Sequence, residues 1–405
     1  MRALSRWCFT FAALLSATSL LAQTPSFQFL EKPGPYPIGF RVVNQYDHSR
    51  TFPSSSNGVE NPSPKNAGRP LQTVIWYPAR KKGGDAMKVG DYVALAATQF
   101  RFEAPDPKNR WATSPLSASS NVQLWAVRDA TPEEGRFPVV IYSPGQSSVA
   151  WDNADLCEYL ASHGYVVVAS PSMGSTTFDS DDNLPDVNAQ AGDIASLIDY
   201  AKTLPDTDMS KLAVAGWSWG GLANLFAAAR DPRIGALVAL DGSMRYYSGL
   251  IKAAGDVHPE QMHIPLLFFT EGEITLEELQ QFYSQNPYFS GPNVLNAWTH
   301  GDLLTVRMLG MPHSGFSSMA QRRWNQQKFA ENQKADYDRH DVNVSYAWVA
   351  RYTLYFLNAY LKHDAVAMAY LKKTPAENGV PKHIMAASFR AAQAWPVSKV
   401  GITIP

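Results

Sequence analysis

The chain has 405 residues, of which 45% are apolar and 12% aromatic, enough for a large buried core. Its formal net charge is −1 and no basic stripe is present, which argues against a nucleic acid as partner. The sequence contains no internal repeat and no metal-ligand spacing such as H-E-x-x-H, so we expect neither a metal nor another cofactor.

The first 22 residues have the composition of a cleavable export signal. Arg2 and Arg6 form a positive start, residues 7–22 are apolar, and small residues stand near Ala22. This pattern predicts a signal peptide over residues 1–22 and a secreted or periplasmic mature chain. The alternative is an N-terminal membrane anchor, but the segment is short for a span and no second one follows. We therefore expect no transmembrane span after cleavage.

Eight strand-like runs follow, and from the third onward they are mostly continuous and apolar. Such runs are typical of strands covered on both faces in a parallel sheet. Helical patterns lie between them, which indicates right-handed βαβ units and a sheet flanked by helices. The predicted strands are 38–44, 72–77, 138–143, 165–170, 212–217, 236–240, 265–270 and 305–309. The predicted helices are 155–162, 191–203, 221–230 and 344–362.

Two connections in this pattern are too long to be simple turns. They cover residues 79–137 and 272–302. Long ordered connections in such folds often carry binding function. We predict both as insertions, the first before the loop at Gly145 and the second before the loop at His313.

The stretch Gly216-Trp217-Ser218-Trp219-Gly220 joins a predicted strand to a predicted helix. A serine in G-x-S-x-G at such a junction lies on a sharp turn that holds its hydroxyl clear of the sheet. The pattern alone is weak, but this context favours Ser218 as a nucleophile over a glycine-rich turn without chemistry. The two tryptophans either pack or line an apolar acyl site.

A nucleophilic serine needs a base and an acid, which follow it along the chain in this kind of fold. His313 lies after the last predicted strand, in the Gly-, Pro- and Ser-rich loop MLGMPHSGFSS, and is predicted as the base. Two positions are open for the acid. Asp241 ends ALVALDG on the strand after the nucleophile helix, whereas Glu271 and Glu273 end LLFFTEGE on the next strand.

A tetrahedral oxyanion needs two backbone N–H donors. We expect one from Trp219, the residue after the nucleophile, and the other from Gly145 or Gln146 in SPGQSS, after the third strand. The aromatic residues near the candidate nucleophile predict an apolar site for a short or medium acyl group. Gly145, Trp217 and Tyr246 are the predicted substrate contacts.

These motifs resemble the α/β-hydrolase family of the plasma, or type II, platelet-activating factor acetylhydrolases in its bacterial secreted branch, with dienelactone-hydrolase-like proteins as neighbours. GPYPIGFRVV and RPLQTVIWYPA resemble that family's opening strands, FPVVIYSPGQ its oxyanion loop, AGWSWGG its elbow, LDG with PLLFF its acid region and MPHSGFSS its histidine loop. The resemblance spans residues 34–364. It implies an α/β-hydrolase fold with an eight-stranded, mostly parallel sheet flanked by helices.

The resemblance also implies roles for single residues. Ser218 would be the nucleophile, His313 the base and Asp241 the acid, because this family takes its acid from the earlier strand. The oxyanion donors would be the backbone N–H groups of Gln146 and Trp219.

The sequence departs from the family at Pro144, where the family has histidine, and at the tryptophans beside the serine, where it has His and Phe. These departures leave the substrate preference open. True dienelactone hydrolases use a cysteine nucleophile, so the serine argues against that activity. Cys157, the one cysteine after residue 22, lies in a helical pattern and is predicted as buried packing.

The leading hypothesis is a secreted serine hydrolase that cleaves small-molecule carboxylic esters, acetyl or phospholipid-like esters among them, through an acyl-enzyme. A peptidase or thioesterase on the same fold and a non-catalytic binding protein with this fold are the alternatives. The catalytic domain is predicted over residues 23–364, with a tail packed on it over residues 365–405. The sequence contains no indication of oligomeric state.

Overall fold

The structure is a computed structural model that describes residues 26–52, 55–56, 59–60, 68–80, 84–103, 105–106, 108–111, 116, 119–272, 293–323 and 336–394. The predicted signal peptide, residues 1–22, lies outside the described residues, as does the end of the predicted tail, residues 395–405. Glu273, one of the candidate acids, also lies outside them.

Strands alternate with helices along most of the described chain. The strands are β1 (Ile38–Asp47), β2 (Ser55–Ser56), β3 (Val59–Glu60), β4 (Arg69–Pro78), β5 (Ala86–Lys88), β6 (Gln123–Arg128), β7 (Phe137–Ser143), β8 (Val166–Ala169), β9 (Thr207–Trp217), β10 (Ile234–Leu240), β11 (Leu266–Glu271), β12 (Leu303–Met308) and β13 (Met385–Arg390). The helices are α1 (Val89–Leu95), α2 (Ala154–Ser162), α3 (Leu184–Ala201), α4 (Trp219–Arg230), α5 (Ser248–Ala254), α6 (Val294–Ala297), α7 (Ser318–Arg322), α8 (Arg339–Leu361) and α9 (Ala365–Leu371).

Eleven of these strands form one sheet, in the order β13-β12-β11-β10-β9-β7-β8-β4-β1-β6-β5, while β2 and β3 pair separately. All neighbours from β8 to β12 are parallel. The sheet confirms the predicted fold class and contains all eight predicted strands, but it is wider than the predicted eight-stranded sheet. The additional strands β5, β6 and β13 lie at its two ends, where strands are partly exposed and lack the continuous apolar run that marks a central strand.

Two hydrophobic cores cover the two faces of the sheet. Alternate residues of β7 point to opposite faces, so that Val140 packs with α2 and α8 while Val139 packs with α3 and α4. Cys157 of α2 is fully buried in the first core, as its helical pattern predicts.

Helices α3 and α8 begin earlier than predicted, at 184 rather than 191 and at 339 rather than 344. Each start has a side-chain cap. The Asn183 side chain accepts the Asp186 N–H, and the Asp338 side chain accepts the Asp341 N–H. Their first turns carry polar residues, so apolar spacing alone places both starts too late.

The carboxyl ends of the parallel strands meet at one edge of the sheet, and the loops there carry the candidate site. Gln146 follows β7, Ser218 follows β9, Asp241 follows β10 and His313 follows β12. Ligands of open α/β sheets bind at this edge.

Candidate active site

Ser218 lies in the sharp turn between β9 and α4. Its backbone has φ 54° and ψ −122°, a left-handed conformation that is strained for a residue other than glycine. Its N–H donates to the Leu240 carbonyl at 3.1 Å. A Cβ at Gly220 would overlap the carbonyl oxygen of Ser143, and one at Gly216 would lie 2.8 Å from the same atom. The two glycines of the motif therefore let the turn pack against the end of β7.

His313 links Ser218 to Asp241 through a continuous chain of hydrogen bonds. His313 Nε2 is 2.8 Å from Ser218 Oγ, and His313 Nδ1 is 2.6 Å from Asp241 Oδ2. Asp241 is fully buried, with φ 46°. With its proton on Nδ1, the imidazole donates to the carboxylate and accepts the serine proton at Nε2. The structure thus brings together Ser218 and His313, which the sequence pattern predicts, with Asp241, the acid that the family resemblance implies.

The two described acid candidates take different positions. Asp241 bonds the imidazole, whereas Glu271 Oε2 accepts the backbone N–H of His313 at 3.0 Å. The Glu271 N–H lies 3.4 Å from Asp241 Oδ1, and the Tyr246 hydroxyl donates to that same oxygen at 3.1 Å. Glu271 therefore holds the loop of His313, while Tyr246 holds the carboxylate of Asp241.

The charge of these carboxylates acts on the imidazole. Burial by itself lowers the pKa of His313, but the hydrogen bond and the negative charge of Asp241, together with the charge of Glu271, raise it above the ordinary value of 6.5. The same surroundings favour the charged imidazolium that forms when the ring accepts a proton.

The two predicted oxyanion donors are available. Within the part of the chain that the structure describes, the backbone N–H groups of Gln146 and Trp219 donate to no protein acceptor. Trp219 is the first residue of α4, where the N–H has no partner inside the helix. The Gly145 N–H instead donates to Asp152 Oδ2 at 3.1 Å, which leaves Gln146 as the donor from this loop.

Two of the predicted substrate contacts, Gly145 and Trp217, pack within the candidate site. The Trp217 ring lies against the His313 ring with centroids 5.4 Å apart, and Trp217 Nε1 donates to the His313 carbonyl at 3.1 Å. A Cβ at Gly145 would lie 2.7 Å from the Trp217 ring, so the glycine permits this close packing. Trp219 is buried and packs edge-on against Tyr247, with centroids 5.4 Å apart. Trp217 thus connects the oxyanion loop to the histidine loop.

Sequence reasoning missed Asp152, a fully buried residue below the oxyanion loop. Its Oδ2 accepts the Gly145 N–H, and its Oδ1 accepts the Tyr142 hydroxyl at 2.8 Å. Its backbone carbonyl accepts the Ser317 hydroxyl at 2.7 Å and the Met319 N–H at 3.1 Å. Burial raises the pKa of Asp152 to about 6, although its hydrogen bonds act in the opposite direction. An aspartate just before a helix is typical of a cap, so the sequence carried no signal for this role.

Asp182 accepts hydrogen bonds from the oxyanion loop and from Tyr247. Gln146 Nε2 donates to Asp182 Oδ1 at 2.6 Å, and the Tyr247 hydroxyl donates to Asp182 Oδ2 at 2.5 Å. The side chain of Gln146, the predicted donor residue, is therefore held in place by Asp182.

No group of three or more His, Cys, Asp or Glu among the described residues could hold a metal ion. Of the helices that the structure describes, none has the length and apolar character needed to cross a membrane.

Comparison with known proteins adds sequence and fold relatives. A family model described as chlorophyllase matches residues 114–244. A cutinase of Thermobifida alba is 34% identical over 118 residues, covering 27% of this chain and 36% of the relative. Cutinase 2 of Thermobifida cellulosilytica is 32% identical over 118 residues, covering 27% of this chain and 40% of the relative. The chain therefore spans well under half the length of the curated relatives it matches.

The similarity of fold extends over nearly the whole chain. A ferulic acid esterase from Streptomyces cinnamoneus superposes with a TM-score of 0.59 and 18% identity, covering 90% of this chain and 99% of that one. This chain has the α/β-hydrolase fold. The relatives reported above are named as cutinases and a ferulic acid esterase. The finer resemblance to platelet-activating factor acetylhydrolases stays a prediction.

Proposed function

We propose that this protein is a serine hydrolase that cleaves carboxylic esters through an acyl-enzyme. The observation that carries the proposal is the chain of hydrogen bonds from Asp241 to His313 to Ser218, at 2.6 Å and 2.8 Å. The names of the relatives, cutinase and ferulic acid esterase, support an ester rather than a peptide as substrate.

Each residue has a distinct part in the proposed reaction. His313 Nε2 takes the proton of Ser218 Oγ as that oxygen attacks the ester carbonyl. The N–H groups of Gln146 and Trp219 stabilise the tetrahedral oxyanion, and Asp241 orients and stabilises the imidazolium. The imidazolium then protonates the leaving alcohol, and a water molecule activated by His313 cleaves the acyl-enzyme. The chemistry needs no metal or cofactor.

The substrate class is proposed at the level of small esters with short or medium acyl groups, acetyl esters included. Gly145, Trp217 and Tyr246 are proposed to border the substrate. The proposal that phospholipid-like esters are substrates rests on the resemblance to platelet-activating factor acetylhydrolases alone.

Export belongs to the same proposal. We infer a signal peptide over residues 1–22, a catalytic domain over residues 23–364 and a tail over residues 365–405. The proposal rests on the charged, then apolar, then small composition of the first 22 residues. N-terminal sequencing of protein recovered from the periplasm or the medium should begin at Gln23, whereas a chain that retains Met1 and stays with the membrane would contradict cleavage.

A fluorophosphonate probe tests the proposed chemistry directly. The mature protein should be labelled at Ser218, as located by mass spectrometry of its peptides, and should hydrolyse p-nitrophenyl esters. Ser218→Ala and His313→Ala should each lower kcat by about three to six orders of magnitude, because the residues of such a unit act together.

Ser210→Ala and His258→Ala are matched controls on exposed residues near the amino ends of β9 and β11, at the opposite edge of the sheet from the site, and both should keep full activity. Folded protein that takes no label and cleaves no ester would contradict the proposal and favour a non-catalytic binding protein. A panel of acyl lengths, with a peptide and a thioester beside it, then separates the esterase from the peptidase and thioesterase alternatives.

A further inference from the structure

A pocket beside the oxyanion loop is not used by the proposed mechanism. It has a volume of about 250 Å³. It lies between the first long insertion and the loop that follows β8. The side chains that matter for what it could bind are Phe100, Arg101, Lys108, Arg110, Phe178 and Asp179.

The pocket is joined to the oxyanion loop by direct contacts. Arg110 Nη2 donates to the Ser147 carbonyl at 2.7 Å, and Trp111 Nε1 lies 3.4 Å from the same oxygen. Ser147 directly follows Gln146, the proposed oxyanion donor. The loop carrying Phe178 follows β8, which lies two strands from β9 and Ser218. Because consecutive Cα atoms are about 3.8 Å apart and the Arg110 guanidinium contacts the residue after Gln146, this side of the pocket lies on the order of 10 Å from the oxyanion site beside Ser218. One substrate molecule can therefore reach both places.

The lining of the pocket carries excess positive charge. Arg110 forms an ion pair with Asp179 at 2.9 Å, and the Asp106 carboxylate accepts the backbone N–H of Lys108 at 3.0 Å. Among the described residues, neither the Arg101 nor the Lys108 side chain makes an ion pair with a carboxylate. The lining thus contains three cationic side chains and two carboxylates.

A further cation stands just behind this lining. The Arg323 guanidinium lies 4.7 Å from the Trp111 ring, and Trp111 shares the Ser147 carbonyl with Arg110. Burial lowers the pKa of Arg323, and the positive charge of Arg110 lowers it further. Two cations this close repel each other, and an anion bound near them relieves the repulsion.

The other part of the lining is aromatic. The rings of Phe100 and Phe178 stack with centroids 4.7 Å apart and an angle of 12°. The Arg101 guanidinium lies 5.8 Å from the centre of the Phe178 ring. Flat apolar walls next to guanidinium and ammonium groups suit a planar ring that carries a negative charge.

We infer that this pocket binds an anionic aromatic group of the substrate, an aryl carboxylate, while the ester carbonyl lies at Ser218. The inference rests on the proposed function and narrows its substrate class to esters that carry such a group. The aromatic ring packs against Phe100 and Phe178, and the carboxylate pairs with Arg101 and Lys108. The charged ring can belong to the alcohol or to the acyl part of the ester, since both place it at a similar distance from the carbonyl.

Two pairs of esters test the inference and separate these two arrangements. In the first, 4-carboxyphenyl acetate is compared with its neutral counterpart 4-carbamoylphenyl acetate. In the second, methyl 4-carboxybenzoate is compared with methyl 4-carbamoylbenzoate. The measured quantity is the ratio of kcat/KM for the anionic ester to that for the neutral one, so that differences in intrinsic reactivity cancel between protein variants.

We expect Arg101→Gln and Lys108→Gln each to lower this ratio about three- to tenfold in at least one pair, as for a partly exposed ion pair. Raising the salt concentration should lower the ratio in the wild-type protein, because exposed charges are screened. Lys382→Gln, which removes an exposed lysine elsewhere on the chain, should leave the ratio unchanged. Ratios that are equal in the wild type and both pocket variants would overturn the inference, while hydrolysis of the neutral esters would leave the proposed esterase standing.

Calorimetry on Ser218→Ala tests the pocket without turnover. The anionic esters should bind more tightly than the neutral ones, and Arg101→Gln in the same background should reduce that difference about three- to tenfold. Equal binding of charged and neutral esters would overturn the inference. If the wild type takes no fluorophosphonate label and cleaves no ester, the proposed function fails, and this titration alone decides whether the pocket binds an aryl carboxylate.

Discussion

Ser218 and Asp241 both have positive φ angles, 54° and 46°, although neither is a glycine. Such backbone conformations cost about 1–3 kcal/mol each and persist only where the surrounding structure holds them. Here, the Ser218 N–H donates to the carbonyl of Leu240, and the Asp241 N–H donates to the carbonyl of Phe269 at 3.0 Å. Hydrogen bonds between neighbouring strands therefore hold both strained residues in the positions from which they meet His313.

The protonation of His313 connects this geometry to pH. Only the neutral imidazole can accept the Ser218 proton, so kcat/KM should fall as the pH drops below the pKa of His313, which lies above its ordinary value. Asp241→Asn removes the charge that raises this pKa. We expect the acid limb of the pH profile to move to lower pH and kcat to fall by about 10³–10⁴. Rates for p-nitrophenyl acetate from pH 5 to 9 measure both effects.

Glu271→Gln is the matched comparison for Asp241→Asn. The glutamine keeps an oxygen that can accept the His313 backbone N–H, and the bond from Asp241 to the imidazole remains. We expect a loss in kcat of less than about tenfold and a smaller shift of the acid limb in the same direction, since one negative charge near the ring is lost. If Glu271→Gln were as inactive as Asp241→Asn, the assignment of Asp241 as the acid would be wrong.

Two residues just before α2, Asp152 and Asn153, connect the oxyanion loop to the histidine loop. Asp152 bonds the Gly145 N–H with its carboxylate and the start of α7 with its carbonyl. Asn153 Nδ2 donates to the Phe316 carbonyl at 2.9 Å, and the Ser318 N–H donates to Asn153 Oδ1 at 3.1 Å. The relative position of the oxyanion donor and the base therefore depends on two buried polar side chains next to each other in sequence.

Asp152→Leu tests this connection. It leaves the Gly145 N–H and the Tyr142 hydroxyl buried without an acceptor, which costs about 1–3 kcal/mol of stability for each group. We expect kcat to fall about ten- to a hundredfold with little change in KM, because the neighbouring Gln146 N–H acts on the transition state.

Asp152→Asn keeps one acceptor and should recover most of the activity. Thermal unfolding of both variants separates stability from rate. A lowered Tm with unchanged kcat in Asp152→Leu would mean that Asp152 supports only the fold.

Glu158 of α2 is another buried carboxyl group, on the side of the sheet that the first core covers. Its Oε1 accepts the Tyr92 hydroxyl at 2.6 Å, and its Oε2 accepts the N–H groups of Trp125 and Ala126 at 2.6 Å and 3.1 Å. Burial raises the pKa of Glu158 to about 7, although these hydrogen bonds lower it. The side chain thereby ties the first long insertion to helix α2.

This buried carboxyl predicts how stability depends on pH. In the folded state Glu158 keeps its proton up to about pH 7, whereas the unfolded chain loses it near its ordinary value of 4.5. The folded state binds more protons in this window, so the free energy of unfolding should decrease as the pH rises from 5 to 8. Asp152 acts in the same direction, with its pKa of about 6.

Glu158→Gln should reduce this decrease by an amount on the order of 1–3 kcal/mol. Urea unfolding at pH 5 and pH 8 measures the difference between the two proteins. Equal changes with pH in the wild type and the variant would contradict a protonated Glu158 in the folded state.

The sequence by itself determined the features that are specified by residues close together along the chain. The continuous apolar runs predict the parallel centre of the sheet, and G-x-S-x-G at a strand-to-helix junction predicts the turn of Ser218. The order along the chain places Asp241 and His313 in later loops at the same edge. Local sequence suffices for these because strand burial and turn geometry are set by residues within a few positions.

Only the tertiary structure decided which side chains meet across the loops. Asp241 and Glu271 end neighbouring parallel strands and are equivalent in sequence pattern, yet one reaches the imidazole and the other the backbone of His313. The outer strands β5, β6 and β13, the buried Asp152 and the pocket beside Ser147 likewise depend on segments far apart in the chain. Their positions follow from the packing of the whole fold, since no local pattern specifies a contact between distant segments.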